Sequence, residues 1–438
     1  MTATFMSRSN LSHHWGCCVR ACLSASPGNQ YASSTCRSSI GFVFYRPPAA
    51  PARSPGALRQ QQPAQTLEPA RVVALSGAKE GLRSPRRAEG YESLPRKRRA
   101  ALHSELMTPY RLTQASARLR VASSLVLFSL LSGGCYNLAH RLPPGVSYRG
   151  EIHRASEASF LADLTWVDES GERHVEQQIF DAVMRIIDHA ERFILVDMFL
   201  YNDFQGDPPE TTREISSELT SALIARKRER PEIQIVVISD PVNTLYGGIR
   251  SKHFERMREA GIPVVLTRLD RLRDSNPGYS GFWRLLAKPF GVREGGMLPN
   301  PFGGEKVSTL SYLALLNFKA NHRKLIIADA GDDMVALVTS ANPHDGSSAH
   351  GNVALQFNGP AVLDLLESER AVLELSDAEL PPIELPELAE TSEGPFSLQI
   401  VTEGQIRRVL LDQIAATGKG DRVEIAVFYI SDHGVVKA

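Results

Sequence analysis

Two runs of near-continuous apolar residues, FILVDMFL at 193–200 and IQIVVISD at 233–240, constrain the fold more than any other feature of the chain. Apolar side chains at successive rather than alternate positions mark strands covered on both faces, as happens where helices pack on both sides of a sheet. The intervening sequence supplies such helices. Val175, Ile179, Val183, Ile186 and Ile187 recur at helical spacing over 175–190. A second amphipathic helix covers roughly 211–228, and a third at about 250–260 leads into the strand-like IPVVLTRL of 262–269. Strands separated by helices of this length predict an α/β fold with a largely buried sheet. Residues 270–311, rich in Gly, Pro and Ser, read as a long surface excursion. KLIIAD and MVALVTSAN then form a hairpin pattern, followed by a helix near 360–372 and an acidic, Pro-rich linker at 376–396.

Lys+Arg and Asp+Glu balance at 49 each, which argues against a nucleic-acid partner, since such affinity rests on neutralising phosphates. All five cysteines (Cys17, Cys18, Cys22, Cys36, Cys135) lie in the first third of the chain. A four-cysteine zinc site or a cysteine nucleophile in the main body is thereby excluded.

Residues 1–106 carry stretches such as RPPAAPARSPGALRQQQPAQ without a sustained apolar period, and read as disordered or as an upstream extension from a start placed too early. Met107 then opens a basic stretch (Arg111, Arg118, Arg120), an apolar run over 121–131 and a small-residue end at Cys135. This order matches a secretory signal, with an apolar run too short to span a bilayer stably. Its Ser-Gly-Gly-Cys end resembles a bacterial lipobox, although Ser132 stands where Leu is preferred and Leu131 lies one place further out. The resemblance implies export, lipidation of Cys135 and anchoring of the mature protein to a membrane. A plain cleaved signal or a short N-terminal anchor is the alternative.

The main body from 150–375 is followed, after the 376–396 linker, by a partial repeat of its own beginning at 397–438. Glu176, Gln178 and Ile179 match Glu403, Gln405 and Ile406, and Arg192, Phe199 and Asp203 match Arg422, Phe428 and Asp432. The second copy stops soon after Asp432, so a counterpart of the strongest motif in the first copy is expected beyond the chain end, in a protein truncated as given and expected to be largely inactive in that form.

That motif is NHRKLIIAD…VALVTSANPHDGSSAHGN. It is similar to the signature of the phospholipase D superfamily: His, any residue, Lys, four residues, Asp, then Gly/Thr-Ser-x-Asn. The likeness is closest to the cardiolipin synthase and phospholipase D-like branch. It implies a mixed sheet flanked by helices, with one complete repeat here and the start of a second, the two forming a pseudo-dimer in a complete protein. It assigns His322, Lys324 and Asp329 as catalytic residues and Ser340 and Asn342 as ligands of the substrate phosphate. His322 would attack phosphorus to give a phosphohistidine, and Lys324, two residues along an extended strand, would present its ammonium to the same oxygens. In two-motif relatives a second His protonates the leaving alcohol. No metal or other cofactor is expected. The spacing departs from the family's: nine residues separate Asp329 from Thr339 where six are usual, and Asp332 restores that gap but breaks the spacing from Lys324.

Other residues have competing readings. His344 and His350 line the pocket or lie solvated in a loop. Asp197 and Tyr201 project to one face at the end of their strand, with Tyr201 in the core or at a headgroup. Asp240 and Asn243 end a strand where α/β sheets place their sites, or form a turn and helix cap. Phe282 and Trp283 touch lipid or are ordinary exposed aromatics. The resulting expectation is a membrane-associated phosphodiesterase or phosphatidyltransferase acting on phospholipid. The alternatives are a nuclease of the same superfamily and a non-catalytic lipoprotein binding module.

Overall fold

The computed structural model describes residues 141–206, 209–210, 212–300, 304–383 and 394–419, with the backbone of 17–23 and short stretches at 123–124, 136–137, 421, 423, 425, 430 and 432–438. Most of 1–106, most of the signal-like segment with Cys135, part of the 376–396 linker, and Arg422 and Phe428 of the repeat lie outside them. The chain divides into two units, and the one comprising 1–44 and 123–438 holds almost everything described.

In chain order the strands are β1 (Cys17–Leu23), β2 (Arg149–Ala155), β3 (Ala158–Val167), β4 (Arg173–Glu176), β5 (Phe193–Met198), β6 (Gln234–Ser239), β7 (Val264–Leu266), β8 (Lys324–Ala330), β9 (Asp333–Thr339), β10 (Asn352–Asn358) and β11 (Phe396–Thr402). The helices are α1 (Ile179–His189), α2 (Ile215–Glu229), α3 (Lys252–Glu259), α4 (Pro277–Phe282), α5 (Thr309–Leu315), α6 (Ala361–Leu375), α7 (Gly404–Ala415) and α8 (His433–Lys437). Eight strands form one mixed sheet in the order β4-β3-β10-β9-β8-β5-β6-β7, parallel only for β5–β6 and β6–β7.

The two apolar runs become β5 and β6, side by side, and their alternation sends side chains into two cores. Ile194, Val196, Ile235 and Val237 meet α1, α2 and α3 on one face. Leu195, Val236, Ile238 and Leu325 meet α6 on the other. Each such side chain contributes roughly 1.5–3 kcal/mol of transfer free energy, so both faces need helical cover. The β8–β9 hairpin turns at Gly331, whose φ of 65° a two-residue turn requires and a Cβ would oppose.

Several elements were not legible in the residue pattern. β2 pairs with β11 in a second sheet of order β1-β11-β2, and Leu398 and Ile400 of β11 join the α6 core. The segment expected to open a second repeat thus begins inside the same unit, and Ala378, Leu380 and Ile383 of the expected linker pack on that core. β1 falls in the stretch read as lacking regular structure. Val175 belongs to β4 rather than to the first turn of α1. The 270–311 excursion is partly helical.

A buried ion pair ties β8 to α6. Arg323, 1% exposed, donates from Nη1 to Glu369 Oε1 at 2.5 Å and to Ser368 Oγ at 2.6 Å. Glu369→Ala strands this guanidinium in the core and is expected to cost about 3–5 kcal/mol in urea unfolding, whereas Arg323→Met with Glu369→Leu recovers most of that loss. A single-variant loss under about 1 kcal/mol would show the pair to be unimportant.

Candidate active site

His322 and Lys324 lie at the head of β8, the strand between β5 and β9. Their i, i+2 spacing brings the side chains together: Lys324 Nζ is 3.3 Å from both His322 ring nitrogens and donates to the His322 carbonyl at 3.1 Å. Phe199 closes one side, its ring centroid 4.6 Å from that of His322 and 5.1 Å from Lys324 Nζ, a cation–π distance. His322 is half-buried, whereas Lys324 is 5% exposed.

An acidic floor lies beneath the lysine. The Asn321 backbone amide donates to Asp240 Oδ2 at 2.7 Å, and its side-chain amide donates to Asp197 at 2.8 and 3.0 Å and to Thr267 Oγ1 at 3.1 Å. Burial pushes the Lys324 ammonium down to about 7, against the pull of Asp197 and Asp240. Burial likewise pushes Asp240 up to about 7, opposed by the amides of Val242 and Asn321 and by Lys324. Asp197 is raised well above the carboxylate range by burial and by Glu369. A lysine poised near neutrality becomes a full cation when an anion brings the missing negative charge.

Ser340 and Asn342 follow the end of β9, whose Val338 faces Leu325 of β8 in the hairpin. Asn342 Oδ1 accepts from the Leu200 amide at 3.1 Å, next to Phe199. Ser340 is exposed, and its hydroxyl donates to Asn352 Oδ1 at 2.9 Å while accepting from the Val353 amide at 3.1 Å, which joins it to β10. His344 Nδ1 lies 2.9 Å from Ser347 Oγ, and burial lowers the pKa of its ring. His350 is exposed on the following turn.

Asp329 does not join the pair. It lies five residues along β8, about 17 Å away at the rise of a strand. There it accepts from the amides of Arg192 at 2.9 Å and Phe193 at 2.8 Å, and from Glu191 at 3.2 Å. It fixes where β5 begins. Asp332 is exposed on the hairpin turn.

Asp240 is both a cap and part of the site, accepting from Val242 N at 2.8 Å. Asn243 clamps the loop after β5, donating to the Phe199 carbonyl at 2.7 Å and accepting from the Tyr201 amide at 2.8 Å. Tyr201 is core: its hydroxyl is 3.0 Å from Thr220 Oγ1, and its ring packs edge-on against Phe254. It does not share a face with Asp197, because β5 ends at Met198 and the strand alternation lapses there. The residues missed from sequence are Asn321, Phe199, Arg323 and Glu369. Asn321 and Arg323 sit inside the motif, but only the fold reveals their partners.

Among the described residues, one group could gather a metal: Asp168, Glu172 and His174, with ligand atoms within 4.8 Å of one another on the β3–β4 turn. Hydrogen bonds from Ser170 and His174 hold Asp168 down to about 2. The same bonds account for the cluster without an ion.

No family model matches the chain, and no curated protein matches it. Among solved structures it is similar to Nuc, a phospholipase D family member from Salmonella typhimurium, at 14% identity over 49% of this chain and 92% of that one, with a TM-score of 0.26. It is also similar to NucT from Helicobacter pylori (11% identity, 51% and 99% covered, TM-score 0.26). A third is phosphatidylserine synthase from Haemophilus influenzae Rd KW20 (14% identity, 60% and 47% covered, TM-score 0.23).

Two expectations separate the ends of β8. Asp329→Ala leaves backbone amides unpaired and is expected to cost about 2–4 kcal/mol in urea unfolding while the His322–Lys324 distance stays as it is; a cost under about 1 kcal/mol would contradict the bracing role. For Lys324, the folded value near 7 lies below the unfolded 10.5, so between these pH values the unfolded chain binds the extra proton and this residue makes stability rise with pH. Lys324→Met is expected to remove that slope and to raise the melting temperature at pH 6. An unchanged slope would show that the ammonium is not desolvated.

Proposed function

We propose that the chain is a phosphodiesterase or phosphatidyltransferase of phospholipase D type, exported, lipid-anchored through Cys135 and acting on phospholipid at a membrane. The observation that carries the chemistry is the contact of Lys324 Nζ, buried above Asp197 and Asp240, with the His322 imidazole at 3.3 Å. A ring nitrogen of His322 attacks phosphorus, a P–N bond forms, and the P–O bond to one alcohol breaks. That alcohol leaves with a proton taken from solvent, and the water or alcohol that attacks next returns one to the solvent. Lys324 neutralises the phosphoryl oxygens as charge builds on them. Water or a second alcohol then attacks the phosphohistidine, restoring the imidazole and releasing phosphatidic acid or a new diester.

The phospholipid assignment draws support from the membrane-directed segment ending at Cys135 and from the balanced net charge, which suits nucleic acid poorly. Among the described residues no helix is long and apolar enough to cross a membrane.

Incubation with phospholipid vesicles and, separately, with single-stranded DNA tests the substrate class. Headgroup release without nicking supports the reading, and nicking without headgroup release overturns it. His322→Ala and Lys324→Ala are each expected to lower kcat/KM by at least about a thousandfold, or 4 kcal/mol. Because kcat/KM reports the free enzyme, it is expected to fall as pH rises through about 7, where Lys324 loses its proton. In Lys324→Arg that alkaline fall is expected to move beyond pH 9, since the guanidinium stays charged. An alkaline limb unmoved by this substitution would assign it to another group.

A further inference from the structure

The excursion after β7 carries an apolar face that none of the described residues covers. α4 runs on through a wide turn at Trp283–Ala287 into Lys288–Phe290, one continuous helical stretch. Its inner side is fastened: Tyr279 donates to the Leu313 carbonyl at 2.6 Å, and Ser280 and Ala287 are buried. Phe282, Leu285, Leu286 and Phe290 recur at helical spacing on the outer side and are all exposed, Phe290 at 72%. Met297, 90% exposed, and Leu316 and Phe318, each 43% exposed, are further exposed apolar residues within 277–318. Phe318 presents its ring from a left-handed backbone, φ 51°, which is costly for a bulky side chain. Lone exposed apolar residues are ordinary, but a helical stripe with three further members marks an interaction surface.

Three observations point to its occupant. Residues 277–318 hold four basic side chains (Arg284, Lys288, Arg293, Lys306) against two acidic ones (Glu294, Glu305), a balance of 4 − 2 = +2 in a chain whose total is +0. The two side chains just after Cys135 are tied to the base of this excursion. The Tyr136 hydroxyl donates to the Asp270 carbonyl at 2.7 Å, Asn137 and Asp274 exchange bonds at 3.0 and 2.7 Å, and Arg284 lies 3.9 Å over the Tyr136 ring. A lipid carried on Cys135, as proposed above, would therefore be tethered one residue from this contact. Finally, a cavity of about 590 Å³ lined by Trp283, Lys288, Lys319, Thr267 and Pro241 leads from this face towards the floor of the site, where Thr267 accepts the Asn321 amide.

We infer that this face is the surface on which the chain sits against a bilayer containing anionic phospholipid. The apolar stripe enters the interface, Arg293 and Lys288 meet lipid phosphates, and the cavity opens towards the headgroups. The docking is independent of the phosphodiesterase reading; only the direction of substrate approach rests on it.

The test uses the full chain with Trp15→Phe and Trp166→Phe, so that Trp283 alone reports. Vesicles of equal parts phosphatidylglycerol and phosphatidylcholine brominated on its acyl chains are expected to quench Trp283. A companion chain keeping only Trp166, on β3 near the opposite edge of the sheet from β7, is expected to escape quenching. Leu286→Ser with Phe290→Ser is expected to abolish Trp283 quenching while hydrolysis of water-soluble bis(p-nitrophenyl) phosphate is unchanged. If neither chain hydrolyses that diester and the quenching pattern still holds, docking stands and the phosphodiesterase reading fails. Unquenched Trp283, quenching that survives the double substitution, or equal quenching of Trp166 overturns the inference. So does vesicle-free dimerisation, seen by light scattering, that the double substitution dissolves, because a second copy then covers the face.

Discussion

Burying an ammonium at the head of a central strand is costly unless the surrounding groups are arranged for it. Lys324 occupies that position, and its neighbours are organised around the consequence. Two carboxyl groups lie beneath it, Asn321 bridges them by donating to both, and the aromatic face of Phe199 covers one side. These groups keep the lysine in place but do not hold it as a permanent ion. Its proton is held weakly at neutral pH, and an arriving anion supplies the charge that binds it fully. A site of this kind favours the substrate's charge over water without a metal having to be invoked for that part of the chemistry.

The strand that places Lys324 is itself fixed at both ends by different means. At its head, Arg323 pairs with Glu369 of α6, and the same two charges act on Asp197 in the floor of the site, so the ion pair that fastens β8 also sets the site's electrostatics. At its tail, Asp329 gathers the amides that start β5. The β5–β8 register therefore depends on a residue remote from the chemistry, and the register sets Phe199 against His322.

The buried strands, their flanking helices and the β8–β9 hairpin were legible because burial on two faces leaves an unbroken apolar run and burial on one leaves a period. The His322–Lys324 contact was legible because i, i+2 spacing on a strand forces it. Asp329 shows where such reasoning stops: spacing places it on the same strand, but the length of that strand carries it away from the site. Tyr201 shows the same limit, since alternation holds only as far as Met198. β2, β3 and β11 escaped notice because each mixes polar and apolar residues, and the pairings of β3 with β10 and of β2 with β11 join strands far apart in sequence. The apolar stripe on α4 was hidden by Gly and Pro, which signal a loop whether or not a helix lies between them.

The central claim is that His322 forms a covalent bond to phosphorus with Lys324 beside it. Rapid quenching during turnover of phospholipid labelled with ³²P tests it most directly. An alkali-stable, acid-labile label is expected on the peptide containing His322 and is expected to be absent from His322→Asn. Turnover with no label on that peptide, or a label that persists in His322→Asn, would contradict it.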